Sequence, residues 1–180
     1  MAGCADRSPP PFGAEDITGA SFGGDISLTD HRGNARSLAD FRGNAVLLFF
    51  GYTHCPDICP TTMSRFATVR RLLGDDGTRL KVVFVTLDPE RDTVSVLEQY
   101  VPFFDPDFVG LTGSVEAIAD VAKRYRVPFV RRQAENGNYL LDHWAGAYAF
   151  DAEGRLRLYV PPDLPNEALA ADLRRLIAAK

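Results

Sequence analysis

Cysteine, histidine, methionine and tryptophan are scarce in this sequence of 180 residues, which has three Cys, three His, two Met and one Trp. Three cysteines are too few for a disulfide scaffold, and an odd number leaves at least one thiol without a partner in the chain. A chain of this length buries enough surface to fold as one domain without such cross-links. The cysteines are therefore candidates for chemistry or for attachment.

Blocks of basic residues and long apolar runs are also lacking. The formal net charge is −4, from 24 acidic and 20 basic residues, so nucleic acid is not an expected partner. The longest apolar run, Ala45 to Phe50, suits one buried strand and is much shorter than the roughly 20 residues that span a bilayer. We expect a soluble globular domain without a membrane-spanning segment of its own.

Strands and helices are predicted to alternate along the chain. Apolar patterns predict strands at 26–28, 45–50 and 80–87, a returning strand at 35–38, and a hairpin between 139–150 and 155–160. Helical spacing predicts helices over 61–73, 93–101, 114–125 and 166–179. This order resembles a thioredoxin-like three-layer α/β/α sandwich, of the α/β class, with an N-terminal β-hairpin extension.

The first twenty residues differ in character from the rest. They include the run Ser8-Pro9-Pro10-Pro11 and show little periodicity. We therefore expect residues 1–20 to form a flexible N-terminal tether and residues 21–180 to form the folded domain.

Two cysteines lie close together in the segment His54-Cys55-Pro56-Asp57-Ile58-Cys59-Pro60, between a predicted buried strand and a predicted helix. Open α/β sheets place their active sites at such positions. Because Pro60 disfavours helical geometry at Cys59, we expect a structured loop, with the helix starting around Pro60. Both sulfurs would then lie near a helix N-terminus, where the partial positive charge favours thiolates.

This cysteine segment has three possible interpretations: two inert buried thiols, a redox dithiol, or a metal site. Asp57 weakly favours the metal site, because a carboxylate between the thiols opposes thiolate formation but attracts a cation. Two thiolates and one imidazole would suit copper, whereas a closed zinc site needs four protein ligands.

The three histidines are the candidates for a further ligand. We expect His31 to be an exposed turn residue, and His54 to lie at the surface or beside the ligands. His143 fits a ligand and an interior histidine equally well from the residues alone, and Asp142 could fix its tautomer. Met63, at helical spacing, is expected in the core.

These residues resemble those of the Sco/SenC family of copper-binding, thioredoxin-like proteins. The resemblance rests on the run from Phe49 to Pro60, on Val85-Thr86-Leu87-Asp88-Pro89-Glu90-Arg91-Asp92-Thr93, and on Leu141-Asp142-His143. It extends from about Phe22 to the end of the chain.

The resemblance implies that Cys55, Cys59 and His143 bind one copper ion, as Cu(I) or Cu(II). It implies a factor that helps to build the dinuclear copper site of cytochrome c oxidase subunit II, and it fits both copper delivery and thiol reduction. We expect a metallochaperone rather than an enzyme. Other periplasmic copper chaperones are further expected partners, and we expect a monomer. The alternative function is a thiol–disulfide oxidoreductase, in which Cys55 and Cys59 reduce the cysteines of that target; the order of attack stays open. The loop from Asp88 to Asp92 is either a solvated turn or a docking surface.

The remaining cysteine lies in Met1-Ala2-Gly3-Cys4, which resembles the end of a bacterial lipobox. A lipid on Cys4, followed by a Pro-rich tether, would hold the domain at the periplasmic face of the cytoplasmic membrane. The alternative is an incidental cysteine in a disordered tail.

Overall fold

The computed structural model describes residues 11–134 and 138–179. Ten strands are found in this part of the chain: β1 (Glu15–Asp16), β2 (Leu28–Asp30), β3 (Ala35–Arg36), β4 (Ala45–Gly51), β5 (Leu80–Thr86), β6 (Val109–Thr112), β7 (Phe129–Gln133), β8 (Tyr139–His143), β9 (Ala147–Phe150) and β10 (Leu156–Val160). Eight of them form one mixed sheet in the order β1-β10-β9-β4-β5-β6-β2-β3, and β7 and β8 form a separate hairpin.

The centre of the sheet is formed by β4 and β5, which pair in parallel from Ala45–Leu80 to Gly51–Thr86. All seven residues of β4 are buried, as its continuous apolar run predicts. Because the two strands end at the same edge, the loops that follow them lie side by side. The segment that follows β4 contains Cys55 and Cys59.

Helices cover both faces of the sheet. On one face, Phe49 packs edge-on against Phe66 of α1 (Ile58–Leu72), and Phe84 packs against Tyr100 of α2 (Val94–Phe104). On the other face, Phe50 packs against Tyr125, which follows α3 (Val115–Arg124). The last helix, α4 (Asn166–Ala178), packs against α1. The three-layer α/β/α arrangement is therefore confirmed, and none of the helices within 11–134 and 138–179 is long and apolar enough to cross a membrane.

The N-terminal hairpin extension is also confirmed, since β2 and β3 pair antiparallel at the edge of the sheet. The domain begins earlier than residue 21, however. The amides of Gly13 and Ala14 donate to the Asp172 carboxylate, and β1 pairs with β10. Residues 13–16 of the expected tether thus belong to the fold, while residues 1–10, including Cys4, lie outside the described residues.

The predicted long strand 139–150 is divided in two. Residues 139–143 pair with β7, which the sequence patterns did not predict, and residues 147–150 pair with β10 and β4. The break is at Gly146, where the rings of Trp144 and Tyr159 occupy the space that a β-carbon would need. The division separates β8, and His143 at its end, from the main sheet.

One further boundary and the burial of one histidine differ from the predictions. Helix α2 continues through Pro102 to Phe104, whereas the spacing predicts that it ends at residue 101. His31 is buried rather than exposed, because its Nδ1 accepts a hydrogen bond from the Gly110 amide at 3.1 Å. Met63 lies in the core, as expected.

Candidate metal centre

Three side chains from distant parts of the chain meet at the edge where β4 ends. The Sγ atoms of Cys55 and Cys59 and one ring nitrogen of His143 all lie within 4.8 Å of one another. The Sγ of Cys59 lies 3.3 Å from Nε2 of His143, which follows it by 84 residues. Both thiols are free. The structure thus brings together the three residues that the family resemblance selects as ligands.

The cysteine loop is more helical than the sequence predicts. Helix α1 begins at Ile58, with Asp57 at the N-cap position, so Cys59 is already a helical residue. Pro60 falls on the third helical position, where its missing N–H is one of those that have no partner inside the helix. The Cys59 amide, which also lies in this first turn, donates to the Cys55 sulfur at 3.4 Å. Cys55 therefore accepts a hydrogen bond from the first turn of the helix.

The two thiols share one proton unequally. A hydrogen bond from Cys59, which outweighs the opposing effect of burial, and backbone hydrogen bonds from Asp57 and Cys59 hold the pKa of Cys55 far below that of an ordinary thiol. The same bond and burial raise the pKa of Cys59 well above the ordinary range. Cys55 is half-buried at the surface, whereas Cys59 is fully buried. The site therefore presents one accessible thiolate and one protected thiol.

The imidazole of His143 is oriented by a backbone carbonyl. Its Nδ1 lies 2.7 Å from the oxygen of Trp144. Because a carbonyl can only accept, Nδ1 donates to it, and in the neutral ring this leaves the lone pair of Nε2 directed at the sulfurs. The Asp142 carboxylate does not take this role, since it forms an ion pair with Arg132 on the neighbouring strand. Adjacent residues in a strand point to opposite faces, so the expected Asp142–His143 contact does not form.

Aromatic rings and a glycine complete the walls of the site. The His143 ring packs edge-on against Tyr52, with 5.7 Å between ring centroids, and against Phe49. A β-carbon on Gly51 would lie 2.8 Å from the Cys59 sulfur. The last residue of β4 must therefore be small for Cys59 to occupy its position. Sequence reasoning missed this role of Gly51, although a glycine that ends a fully apolar strand is a usable signal.

A buried carboxylate fixes the start of the cysteine loop. Asp92 is fully buried and accepts hydrogen bonds from the Thr53 amide, at 2.9 Å, and the Thr53 hydroxyl, at 2.6 Å. The Thr86 hydroxyl also donates to it, at 2.6 Å. Burial raises the pKa of Asp92. This network joins the ends of β4 and β5, and it too was missed from the sequence.

The other residues considered from the sequence lie around the three ligand candidates. His54 is exposed, with Nδ1 at 3.1 Å from the Thr53 hydroxyl. Asp57 is exposed and accepts from the Thr61 hydroxyl at 3.2 Å. Both lie on the exposed surface around the site, which we call the rim, rather than in the cluster of ligand atoms. A shallow groove runs along this rim between Ile58 and Leu140 and opens onto Cys55.

The loop from Asp88 to Asp92 is not a solvated turn. Asp88 and Asp92 are both buried. Asp88 accepts a hydrogen bond from the Tyr139 hydroxyl at 2.7 Å and pairs with Arg91. The loop therefore faces the β7–β8 hairpin, which carries His143.

The donor set fits copper. Two sulfurs and one imidazole nitrogen are soft or intermediate ligands, which copper accepts as a group of three. A closed structural zinc site has four protein ligands, and the cluster in the described part of the chain supplies three. The partly exposed Cys55 leaves one side of the site open to an incoming ligand.

Comparison with known proteins gives consistent matches across the domain. A family model described as SCO1/SenC matches residues 14–178. The chain is 43% identical over 159 residues to the mitochondrial SCO2 homolog of Bos taurus, covering 87% of this chain and 60% of that protein. It is 38% identical over 151 residues to a SCO2-like protein of Rickettsia conorii, covering 82% of this chain and 74% of that protein. The chain thus spans about three fifths of the length of its mammalian relatives.

Solved structures agree with the fold and include proteins with copper bound. Bradyrhizobium japonicum ScoI with copper bound is similar at 38% identity and a TM-score of 0.80, covering 87% of this chain and 99% of that chain. Arabidopsis thaliana ScoI with copper bound is similar at 33% identity and a TM-score of 0.82, covering 88% and 99%. Yeast Sco1 with copper bound gives 29% identity and a TM-score of 0.79, covering 89% and 90%.

Proposed function

Because this chain belongs to the SCO1/SenC family, we propose that it is a copper-binding assembly factor that holds one copper ion as cargo. Cys55, Cys59 and His143 would bind the ion, as Cu(I) or Cu(II). The observation that carries the proposal is the convergence of two sulfurs and one ring nitrogen of His143 within 4.8 Å of one another. Similar proteins have been solved with copper bound, which supports the choice of metal.

Transfer of the ion by ligand exchange suits this arrangement. A set of three ligands leaves room for a Cys or His of the recipient to bind before a donor residue lets go. Entry is easiest through the groove between Ile58 and Leu140, since it opens onto Cys55. The family resemblance implies the dinuclear copper site of cytochrome c oxidase subunit II as the recipient, with other periplasmic copper chaperones as further partners.

A second candidate function, reduction of the recipient's disulfide, is favoured by the unequal thiols. The Cys55 thiolate would attack one sulfur of the disulfide, forming a mixed disulfide and releasing the other sulfur as a thiolate. Cys59 would then lose its proton and attack the Cys55 sulfur. The recipient would leave with two reduced cysteines, and this chain would keep the Cys55–Cys59 disulfide. The half-buried thiolate and the buried thiol support this order of attack.

Copper titration of the reduced protein tests the first proposal. We expect one ion per chain, and at least about 100-fold weaker binding in Cys55→Ser, Cys59→Ser and His143→Ala, a larger loss than removal of an outer partner causes. His54→Ala is the matched control, because His54 is an exposed neighbour outside the cluster. Full affinity in His143→Ala would show that the ligand assignment is wrong. Micromolar binding together with rapid reduction of a target disulfide would favour the second function.

We also propose that lipid attached to Cys4 holds the domain at the periplasmic face of the membrane. The support is the lipobox-like run Met1-Ala2-Gly3-Cys4. Expression with a secretion signal upstream, followed by mass analysis of the N-terminus, should show diacylglyceryl-modified Cys4. An unmodified Cys4 would contradict the proposal that the protein is a lipoprotein.

We expect the folded domain itself to be a monomer.

A further inference from the structure

The third ligand candidate belongs to a strand that, within the described part of the chain, does not pair with the main sheet. His143 is the last residue of β8, and β8 pairs with β7 alone. Most of β7 is exposed to solvent. The position of the hairpin, and with it the direction of the His143 ring, therefore depends on side-chain contacts with the rest of the domain.

One residue of the β5–α2 loop makes most of these contacts at the start of β8. The guanidinium carbon of Arg91 lies 3.6 Å from the centroid of the Tyr139 ring. Its Nη1 donates to the Tyr139 carbonyl at 3.1 Å. Its Nε pairs with Asp88, which also accepts from the Tyr139 hydroxyl at 2.7 Å. Arg91, Asp88 and Tyr139 thus form a closed triangle of contacts, which we call the latch.

The latch and the metal centre lie at opposite ends of the same strand. Tyr139 begins β8 and His143 ends it, about 13 Å away at the usual rise per residue. The far end of the strand is held by Trp144, which stacks on Tyr148 and Tyr159. With two fixed ends the tilt of the strand is defined. Glu90 of the same loop also pairs with Arg131 of β7, and Leu141 of β8 packs in the core, so release of the latch loosens the start of β8 while these contacts remain.

Arg91 has one further property that a purely stabilising residue would not need. Its Nη2 is buried and has no hydrogen-bond partner in the described part of the chain. A buried donor without a partner costs free energy, which offsets what the other contacts of Arg91 contribute to the fold. Those other contacts are made with Asp88 in its own loop and with Tyr139. The guanidinium carbon also lies 5.9 Å from the centroid of the Tyr52 ring, which packs against His143.

We propose that Arg91 is a positioning residue, which acts through Tyr139 and Asp88 to hold the β7–β8 hairpin at the tilt that directs His143 toward the two sulfurs. It thereby sets how fast the third ligand dissociates from the metal. This inference rests on the proposed copper binding. Ligand geometry tolerates errors of only about 0.5 Å and 10–20°, so a small change of tilt is sufficient to weaken the site.

The test compares copper release from Arg91→Ala and from the unchanged protein to a competing Cu(I) chelator. We expect release to be about tenfold faster in Arg91→Ala, with partial recovery in Arg91→Lys, which keeps the charge but not the planar guanidinium. Arg132→Ala is the matched control, because it removes an exposed ion pair within the same hairpin and leaves the latch intact. Its release rate should be unchanged.

A double-mutant cycle separates positioning from general destabilisation. In a His143→Ala background, Arg91→Ala should have no further effect on release, because the ligand through which it acts is gone. Equal effects in both backgrounds, or unchanged release in Arg91→Ala, would overturn the inference. If Arg91→Ala does not fold, Tyr139→Leu removes the same contacts from the hairpin side. Failure of the unchanged protein to bind copper would instead reject the proposed function.

Discussion

At the level of single residues, the two cysteines of the metal centre are chemically different. Cys55 receives hydrogen bonds from Cys59 and from the start of α1, and it is accessible. Cys59 is buried against Gly51 and retains its proton. The position of each sulfur relative to the helix, rather than the identity of the residue, therefore decides which one is the nucleophile.

Alkylation of the reduced, metal-free protein should show this difference as a function of pH. Because the pKa of Cys55 is already far below neutral pH, its rate with iodoacetamide should change less than about twofold between pH 6 and 8. A thiol with an ordinary pKa of about 8.5 becomes roughly 80-fold more reactive over this range. Peptide mapping identifies the modified residue, and protein unfolded in urea provides the control. A tenfold rise per pH unit in the folded protein would contradict the prediction.

Gly51→Ala should damage both the fold and the metal centre. The added methyl group would lie 2.8 Å from the Cys59 sulfur and 2.9 Å from the Phe84 ring, both buried. We expect the free energy of unfolding to fall by about 1–3 kcal/mol, and copper binding to weaken because Cys59 must move. Gly110→Ala is the control, since its methyl group would meet Val101 at 2.8 Å, beyond the ligand cluster. It should destabilise the protein in urea but leave copper affinity unchanged.

At the level of elements, buried carboxylates at or after the ends of strands connect neighbouring strands and loops. Asp92 joins the ends of β4 and β5, and Asp88 joins the following loop to the β7–β8 hairpin. Asp30 does the same in the β2–β3 turn, where it accepts from the amides of Arg32 and Asn34 and pairs with Arg36. The Asp30 carboxylate stabilises its turn in the ionised form, because all of these partners are hydrogen-bond donors.

The Asp30 turn gives a prediction about acid stability. Burial alone would raise the pKa of Asp30, but the hydrogen bonds from Asn34, Arg36 and Arg32 outweigh it and lower the pKa to about 2. Because the folded-state pKa lies below the unfolded value of 3.8, the stabilisation is complete above pH 4 and is lost as the pH falls toward 2. Asp30→Asn should therefore cost about 2 kcal/mol at pH 7 and almost nothing at pH 2.

Urea unfolding at pH 7, 4, 3 and 2 measures this effect. Asp120→Asn is the control, because its ion pair with Arg124 is exposed, and such pairs contribute about 0–1 kcal/mol. If the cost of Asp30→Asn were the same at every pH, ionisation of Asp30 would not be its cause.

At the level of the whole molecule, the candidate ligands come from two parts of the chain that are 84 residues apart. Their meeting requires the β4–β9 pairing, which returns the chain to the strand that precedes the cysteines. A bound ion would join α1 to the β7–β8 hairpin. Metal binding is then also a contribution to folding stability.

Thermal unfolding with and without copper tests this contribution. At a free concentration 100 times the dissociation constant, a ligand that binds only the folded state adds about 2.7 kcal/mol. We expect a copper-dependent rise in Tm in the reduced protein and almost none in His143→Ala. An equal rise in both proteins would show that the metal binds elsewhere.

Much of this architecture could be predicted from local sequence patterns. The apolar run of β4 and the helical spacing of α3 determine their structures locally, and both predictions were confirmed. The cysteine segment was recognisable because its residue types and spacing carry the chemistry. The meeting of Cys59 with His143 and the bond from Thr53 to Asp92 depend on contacts between residues 84 and 39 positions apart. No local pattern encodes such contacts.

The position of Trp144 has a practical consequence. It is the one tryptophan in the sequence, it directly follows His143, and its carbonyl orients the imidazole. Its indole stacks against the rings of both Tyr148 and Tyr159. The protein therefore contains an intrinsic fluorophore at the end of the hairpin, and emission excited at the red edge of indole absorption would follow movement of the third ligand without any attached label.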